Sequence, residues 1–117
     1  MTPELRPLTE PRLRRLYREH VAEDFPPAER RPLSAILRLR RRGDYDTWGV
    51  FDGDALAAYA FLWRGADCAL LDYLAVCRDA RGQGYGTRAL ELVKGQYGPV
   101  PLLAEVEAPE ESAPPGE

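Results

Sequence analysis

The stretch Val76–Thr87, VCRDARGQGYGT, carries the most information about the fold of this chain. It follows Cys68–Val76, a nearly continuous apolar segment of the kind that forms a strand covered on both faces. It precedes Thr87–Tyr97, where apolar residues recur at helical spacing. The sequence therefore predicts a buried strand that passes through a glycine-rich turn, Gly82–Gly86, directly into an amphipathic helix.

This turn has the composition of an anion-binding loop. The first N–H groups of a helix are unpaired and lie at the positive end of its dipole, an arrangement that suits phosphate. Gly82, Gly84 and Gly86 carry no Cβ that would keep an anion from the backbone, and Arg81 adds a permanent positive charge. A connection without a ligand would need fewer glycines and no arginine. We therefore interpret the stretch as a phosphate-binding loop.

The spacing of the glycines distinguishes between classes of phosphate ligand. The Walker pattern is absent, because the residues after Gly86 are not Lys-Ser or Lys-Thr, and the Gly-x-Gly-x-x-Gly spacing of dinucleotide sites is absent as well. The spacing Arg81-x-x-Gly84-x-Gly86 instead resembles the acetyl-CoA diphosphate loop of the GNAT N-acetyltransferases. The order of elements over residues 4–107 is similar to that family too.

Periodicity and turn signals predict the elements around this loop. The predicted elements follow the order β-α-α-β-β-β-α-β, which is typical of an α/β (α+β) chain. The resemblance implies a GNAT-like acyl-CoA N-acyltransferase fold, with a mixed, mostly antiparallel sheet and flanking helices. The other predicted elements are a strand at Glu4–Leu8, a helix from the N-cap Thr9 to Pro26, a helix at Pro32–Arg42, strands Tyr45–Phe51 and Ala55–Trp63 around the turn Asp52-Gly53, and a last strand at Val100–Glu107.

The domain organisation follows from composition. Residues 1–107 are predicted to form one GNAT-like acetyl-CoA-binding domain. Residues 108–117 are rich in Pro and Glu and lack large apolar side chains, so they are predicted to be a disordered tail.

The resemblance also implies an activity, the transfer of an acetyl group from acetyl-CoA to a primary amine by direct attack in a ternary complex. The pantetheine arm would lie between the strand ending at Val76 and the last strand, where a backbone N–H group would polarise the thioester. The residues expected to bind acetyl-CoA are Leu74, Ala75, Val76, Arg81, Gly82, Gln83, Gly84, Tyr85, Gly86 and Thr87.

Two carboxylates are candidates for the base that takes a proton from the amine. Glu105 is the first, because it occupies a strand position where some GNAT members carry a catalytic glutamate. Asp72, alone among apolar residues of its strand, is the second. For each, a structural role such as a paired charge is an equal alternative. Cys77 is a lesser candidate for an acyl-cysteine.

The family pattern normally continues past the last strand with a further helix and a strand pair, which have no counterpart after Glu107. The expectation is a C-terminally shortened GNAT domain, and the alternative to an acetyltransferase is a non-catalytic CoA-binding or interaction module whose fold a partner completes. The last strand would then be an exposed edge, which predicts a homodimer. The acceptor, a small molecule or a peptide amine, is not specified by the sequence.

Composition argues against several other classes. The formal net charge is −3, and the basic run Arg38–Arg42 falls in the last turn of a predicted helix, where arginines are usually solvated. A nucleic-acid partner is therefore not predicted. Two cysteines and one histidine, with no Cys-x-x-Cys pair, predict neither a disulfide framework nor a metal site.

No apolar run reaches the roughly 20 residues that span a bilayer, and the first residues lack the apolar core of a signal peptide. We therefore expect no membrane association and a cytoplasmic protein.

Overall fold

The computed structural model describes residues 2–104. In this part of the chain, one sheet has the strand order β1-β2-β3-β4-β5. Neighbouring strands are antiparallel from β1 to β4, and β5 runs parallel to β4. The strands are β1 (Glu4–Pro7), β2 (Tyr45–Asp52), β3 (Ala55–Arg64), β4 (Ala69–Val76) and β5 (Leu102–Ala104). The predicted mixed, mostly antiparallel sheet is confirmed.

The helices lie where the prediction places them, between the first two strands and before the last strand. They are α1 (Glu10–Leu16), α2 (Ala22–Asp24), α3 (Leu33–Arg41) and α4 (Tyr85–Tyr97), with a π-helical segment Tyr17–Val21 joining α1 to α2 and short 3₁₀ turns at Pro27–Glu29 and Arg78–Ala80.

Helix α1 begins where its sequence predicts. The Thr9 hydroxyl accepts the N–H of Arg12 at 3.3 Å, which satisfies one of the otherwise unpaired donors of the first turn. Leu13, Leu16 and Val21 are buried, as the apolar stripe predicts. The π-helical segment was not predicted, because a widened turn leaves no periodicity signal of its own.

Helices cover both faces of the sheet, and the alternation of β3 shows which core each face supplies. Tyr59 and Phe61 pack with the apolar residues of α1 and α3. Ala60 and Leu62 point to the opposite face, where Val93 of α4 covers them. The sheet is thus covered on both faces, and β4 lies in it between β3 and β5.

The turn after β4 differs from the prediction at its end. Gly82 and Gly84 have φ of 83° and 81°, left-handed conformations that favour glycine. Gly84 is the N-cap, so α4 begins at Tyr85 rather than at Thr87, and Gly86 lies in the first helical turn. The predicted glycine-rich turn is therefore shorter by two residues, because the left-handed Gly84 already serves as the N-cap of the helix.

The starts of two strands also differ from the prediction, and β1, β2 and β3 each end one residue away from it. The predicted strand beginning at Cys68 begins at Ala69, because the Cys68 carbonyl accepts the N–H of Gly65 at 2.8 Å and closes the preceding turn. The predicted last strand begins at Leu102 instead of Val100. Residues 105–107 of that prediction, and the tail at 108–117, lie outside the described residues.

Candidate functional site

Within residues 2–104, the second half of β4 is paired with a neighbouring strand on one side only. Within the described residues, β5 pairs only with Ala69–Leu71, so the later residues of β4 pair only with β3. The N–H of Cys77 donates to the Ala57 carbonyl of β3 at 2.8 Å. Because backbone groups alternate in direction along a strand, the N–H groups of Val76 and Leu74 point away from β3. Among the described strands, none pairs with this side of β4 beyond Leu71.

The same alternation shows that Leu74, Ala75 and Val76, the residues expected to bind pantetheine, direct their backbone N–H groups to different sides. Ala75 pairs with Tyr59, and its backbone groups point towards β3. Leu74 and Val76 therefore have the exposed donors, while Ala75 lies between them in the strand. This distinction needs the register of β3 against β4, which the sequence pattern does not contain.

The glycine loop continues this open edge into α4. A Cβ built on Gly82 or Gly84 meets no atom within 4 Å, so space lies open beside both residues. In the part of the chain that the structure describes, no side chain caps the start of α4, and the first backbone bond of the helix runs from the Arg88 N–H to the Gly84 carbonyl at 3.3 Å. The N–H groups of the first turn are therefore free to bind an anion. Gln83 and Thr87 flank this opening with exposed side chains.

Arg81 points back towards the domain instead of lying over the glycines. Its Nε donates to the Val76 carbonyl at 3.2 Å, and its Nη2 donates to Asp24 Oδ1 at 3.3 Å. The guanidinium joins the end of β4 to the end of α2. In this conformation, Arg81 holds the loop in place.

Tyr85 fixes the start of α4 from the other side. Its hydroxyl donates to Asp52 Oδ2 at 2.5 Å, which ties the helix to the turn between β2 and β3. This hydrogen bond raises the pKa of Tyr85, so the hydroxyl stays protonated at neutral pH. Both ends of the glycine loop are thus attached to other elements.

Asp72 occupies a β-bulge. Phe61 pairs with Tyr73 and Leu62 pairs with Leu71, so Asp72 has no partner on β3. A bulge redirects a side chain, and here Asp72 lies on the same side of the sheet as Tyr45. The bulge explains how a carboxylate is accommodated in an apolar strand.

The Asp72 carboxylate is already held by two neighbours. It accepts Arg31 Nε at 2.5 Å and Nη2 at 3.3 Å, and the Tyr45 hydroxyl at 2.5 Å. The guanidinium of Arg31 lies 4.9 Å from the centre of the Trp63 ring. The hydrogen bond to Asp72 raises the pKa of Arg31, and burial raises that of Tyr45, so both stay protonated. These contacts favour the structural alternative for Asp72.

Sequence reasoning missed Arg31, Tyr45 and Asp24 as parts of this region. The only signal was Asp72 itself, an acid in an apolar strand, which indicates that a partner exists but not which one. Glu105, the first candidate for the base, lies outside the described residues and stays a prediction.

The thiol of Cys77 is poorly suited to nucleophilic chemistry. Its residue is 3% exposed, and burial, reinforced by Asp24, raises the pKa of the thiol to about 11. Because the thiolate is the nucleophile, little of the reactive form is present at neutral pH. The structure gives no support to an acyl-cysteine.

A separate cavity of about 670 Å³ lies at the opposite end of the sheet, beside Asp46, Trp48 and Tyr97. None of the residues predicted to bind the donor lines it. The candidate donor site is the edge of β4 with the glycine loop, and this cavity is no part of it.

A comparison of the sequence with protein-family models identifies the family of this chain. Residues 12–99 match the sequence model of the acetyltransferase (GNAT) family. The chain belongs to the GNAT acetyltransferase family. Its glycine loop and the open half of β4 both lie inside the matched range. No curated protein matches the chain with significant similarity.

Solved structures confirm the GNAT fold. A Bacteroides thetaiotaomicron protein assigned to the GNAT acetyltransferases is 27% identical with a TM-score of 0.79, over 93% of this chain and 63% of the other. The ribosomal-protein-S18-alanine N-acetyltransferase of Escherichia coli is 23% identical with a TM-score of 0.63, over 81% of this chain and 59% of the other. A Trypanosoma brucei acetyltransferase is 22% identical with a TM-score of 0.55, over 96% of this chain and 87% of the other.

The GNAT chain described here thus spans about three-fifths of the length of the first two structures. None of the helices in residues 2–104 combines the length and apolarity needed to cross a membrane. In the same residues, no three His, Cys, Asp or Glu side chains gather as metal ligands.

Proposed function

We propose that this chain is an N-acetyltransferase that transfers the acetyl group of acetyl-CoA to a primary amine. One observation carries the proposal: within the described residues, the N–H groups of Leu74 and Val76 have no strand partner, and they lead into the glycine loop and a start of α4 that no side chain caps. Donors on the strand would suit an extended pantetheine arm, and donors at the helix start would suit its diphosphate.

The donor site would act through the backbone. The N–H groups of the first turn of α4 bind the diphosphate, and Gly82 and Gly84 leave room for it beside the chain. An N–H on the open edge of β4, at Leu74 or Val76, donates to the thioester oxygen, where negative charge develops as the amine attacks. The sheet fixes these donors before the ligand arrives, which reduces the reorganisation needed during the reaction.

The transfer itself requires an unprotonated amine. Its nitrogen attacks the thioester carbon, the C–S bond breaks, and the sulfur leaves as a thiolate that then takes up a proton. Most amines are protonated at neutral pH, so a base must first remove a proton. We assign this role to Glu105 before Asp72, because the described contacts of Asp72 already occupy its carboxylate.

The acceptor and the assembly are further parts of the proposal. The acceptor is an amine of a small molecule or a peptide. The chain also forms a homodimer through β5, whose Leu103 side chain is 51% exposed. Sedimentation of the chain at high concentration tests the dimer, and a strictly monomeric, folded protein would contradict it.

Calorimetric titration with CoA and acetyl-CoA tests the donor site. A ligand that binds only the folded state also raises the unfolding temperature by mass action. ADP should compete, because it supplies the diphosphate without the pantetheine arm. Absence of both heat and thermal shift at millimolar acetyl-CoA would contradict the proposal.

A second experiment tests transfer. Acetyl-CoA is incubated with a panel of primary amines, and acetylated products are detected by mass. Products that depend on the chain support an acetyltransferase. CoA binding without any product would indicate the alternative, a CoA-binding module without catalysis.

A further inference from the structure

Asp24 is a buried carboxylate at the end of α2, and it contacts two arginines of the candidate donor loop. Its side chain is 8% exposed. Oδ1 accepts Arg81 Nη2 at 3.3 Å and lies 3.5 Å from Arg78 Nη1. Oδ2 accepts the Tyr59 hydroxyl at 2.7 Å. One carboxylate thus joins α2, the centre of β3 and the loop that follows β4.

Tyr59 fixes Asp24 from the side of the sheet. Its side chain is fully buried, and its ring packs 5.5 Å from that of Phe61. Burial raises the pKa of Tyr59, and the hydrogen bond to Asp24 adds to this effect. The hydroxyl therefore stays neutral and donates to the carboxylate. Because a buried core residue holds Asp24, the carboxylate has a defined position at which the exposed Arg78 and Arg81 side chains meet it.

Arg78 and Arg81 connect Asp24 to the glycine loop. Arg78 also donates to the Glu19 carbonyl at 3.0 Å, and Arg81 donates to the Val76 carbonyl at 3.2 Å. The first contact attaches the start of the short 3₁₀ turn, Arg78–Ala80, to the π-helical segment that contains Glu19. The second attaches the residue after this turn to β4. The glycines that follow begin from a defined position.

We expect the arginines to remain on Asp24 when a ligand binds. The Asp24 side chain is 8% exposed, so losing both cations would leave its carboxylate without a countercharge, which is unfavourable. Arg81 would then stay on Asp24, and the backbone N–H groups would meet the diphosphate. Without this attachment, the glycine loop would sample more conformations and lose more entropy on binding.

We propose that Asp24 is a positioning residue for the donor, one that preforms the diphosphate loop through Arg81 and Arg78. The inference rests on the proposed function, since it assumes that this loop binds CoA. In this proposal, the end of α2 contributes to the affinity for the donor, although it lies far from the loop in sequence. Binding gains because the loop is already in place before the ligand arrives.

A double-mutant cycle on CoA affinity tests this inference. Asp24→Asn and Arg81→Met should each weaken CoA binding about tenfold by calorimetry. If Asp24 acts through Arg81, the double variant should bind within about threefold of the weaker single variant. Independent roles would instead multiply to about a hundredfold loss. A purely structural role would lower the unfolding temperature without producing this coupling.

Glu23→Gln is the matched control. It removes one negative charge from the neighbouring residue, but that side chain is 66% exposed and lies 3.4 Å from Arg78. Its CoA affinity should change less than twofold, which also measures the effect of charge alone. If Asp24→Asn does not fold, Tyr59→Phe removes the hydroxyl donor, keeps the charge of Asp24, and should weaken CoA binding several-fold.

The outcomes separate this inference from the proposed function. No CoA binding by the unaltered chain contradicts the proposed function itself. Normal CoA binding by the unaltered chain together with unchanged or additive losses in the variants contradicts only the role of Asp24. Tighter binding by Asp24→Asn would also overturn it, since Asp24 would then compete with the diphosphate for the arginines.

Discussion

Arg31 donates to both carboxylate oxygens of Asp72, from Nε at 2.5 Å and from Nη2 at 3.3 Å. The pair joins the segment before α3 to the bulge of β4. The side chain of Asp72 is 19% exposed, and that of Arg31 is 36% exposed, so water screens the pair only in part. The contact stabilises the fold next to the groove in which the donor is proposed to bind.

Replacing the acid tests this structural role. Asp72→Asn should lower the free energy of unfolding by about 1–3 kcal/mol, because charged hydrogen bonds to Arg31 and Tyr45 are lost. CoA affinity should stay within twofold. Urea unfolding and calorimetry measure the two quantities. Asp67→Asn, at an exposed loop position, is the control. Equal stability of both variants would show that the pair contributes little.

The left-handed glycine at the start of α4 should be essential for the donor. Gly84→Asp places a carboxylate and a Cβ where the diphosphate meets the first N–H groups of the helix, so CoA binding should fall below detection. Gly43→Asp is a matched control, since Gly43 has φ of 84° and equally open surroundings away from the loop. Both variants should lose similar stability, about 1–2 kcal/mol. Normal CoA affinity in folded Gly84→Asp would show that the turn is only a connection.

Glu105 should control transfer without controlling donor binding. Glu105→Gln keeps the shape of the side chain but cannot take a proton, so the rate of amine acetylation should fall by about 10²–10⁴. CoA affinity should be unchanged. Asp72→Asn is the comparison, and it should retain much more of the rate. Full activity of Glu105→Gln would remove that residue as the base.

The two cysteines should differ in reactivity. Cys77 is buried with a pKa of about 11, whereas Cys68 is partly exposed. Iodoacetamide at neutral pH should therefore modify Cys68 first in the native protein, and both residues should react in guanidinium. For Cys77, the rate should rise as pH increases towards its pKa, because the thiolate is the nucleophile. Rapid native modification of Cys77, detected by peptide mass, would contradict its burial.

The sequence by itself determined the order of the elements, because each depends on neighbouring residues. The stripe of Leu13, Leu16 and Val21 predicts α1, and the apolar run before Val76 predicts a covered strand. The glycine loop was recognised for the same reason, since its spacing is local. The start of α4 was predicted two residues too late, because only the backbone conformation shows which glycine serves as the left-handed N-cap.

Tertiary structure alone decided what the polar side chains do. Asp72 meets Arg31 across 41 positions, and Asp24 meets Arg81 across 57. No local pattern encodes such pairs, because they form only when the sheet and the helices bring distant segments together. The bulge at Asp72 and the open edge at Leu74 and Val76 depend likewise on strand register. The sequence predicts where a donor would bind, and the fold decided which residues hold the glycine loop in shape.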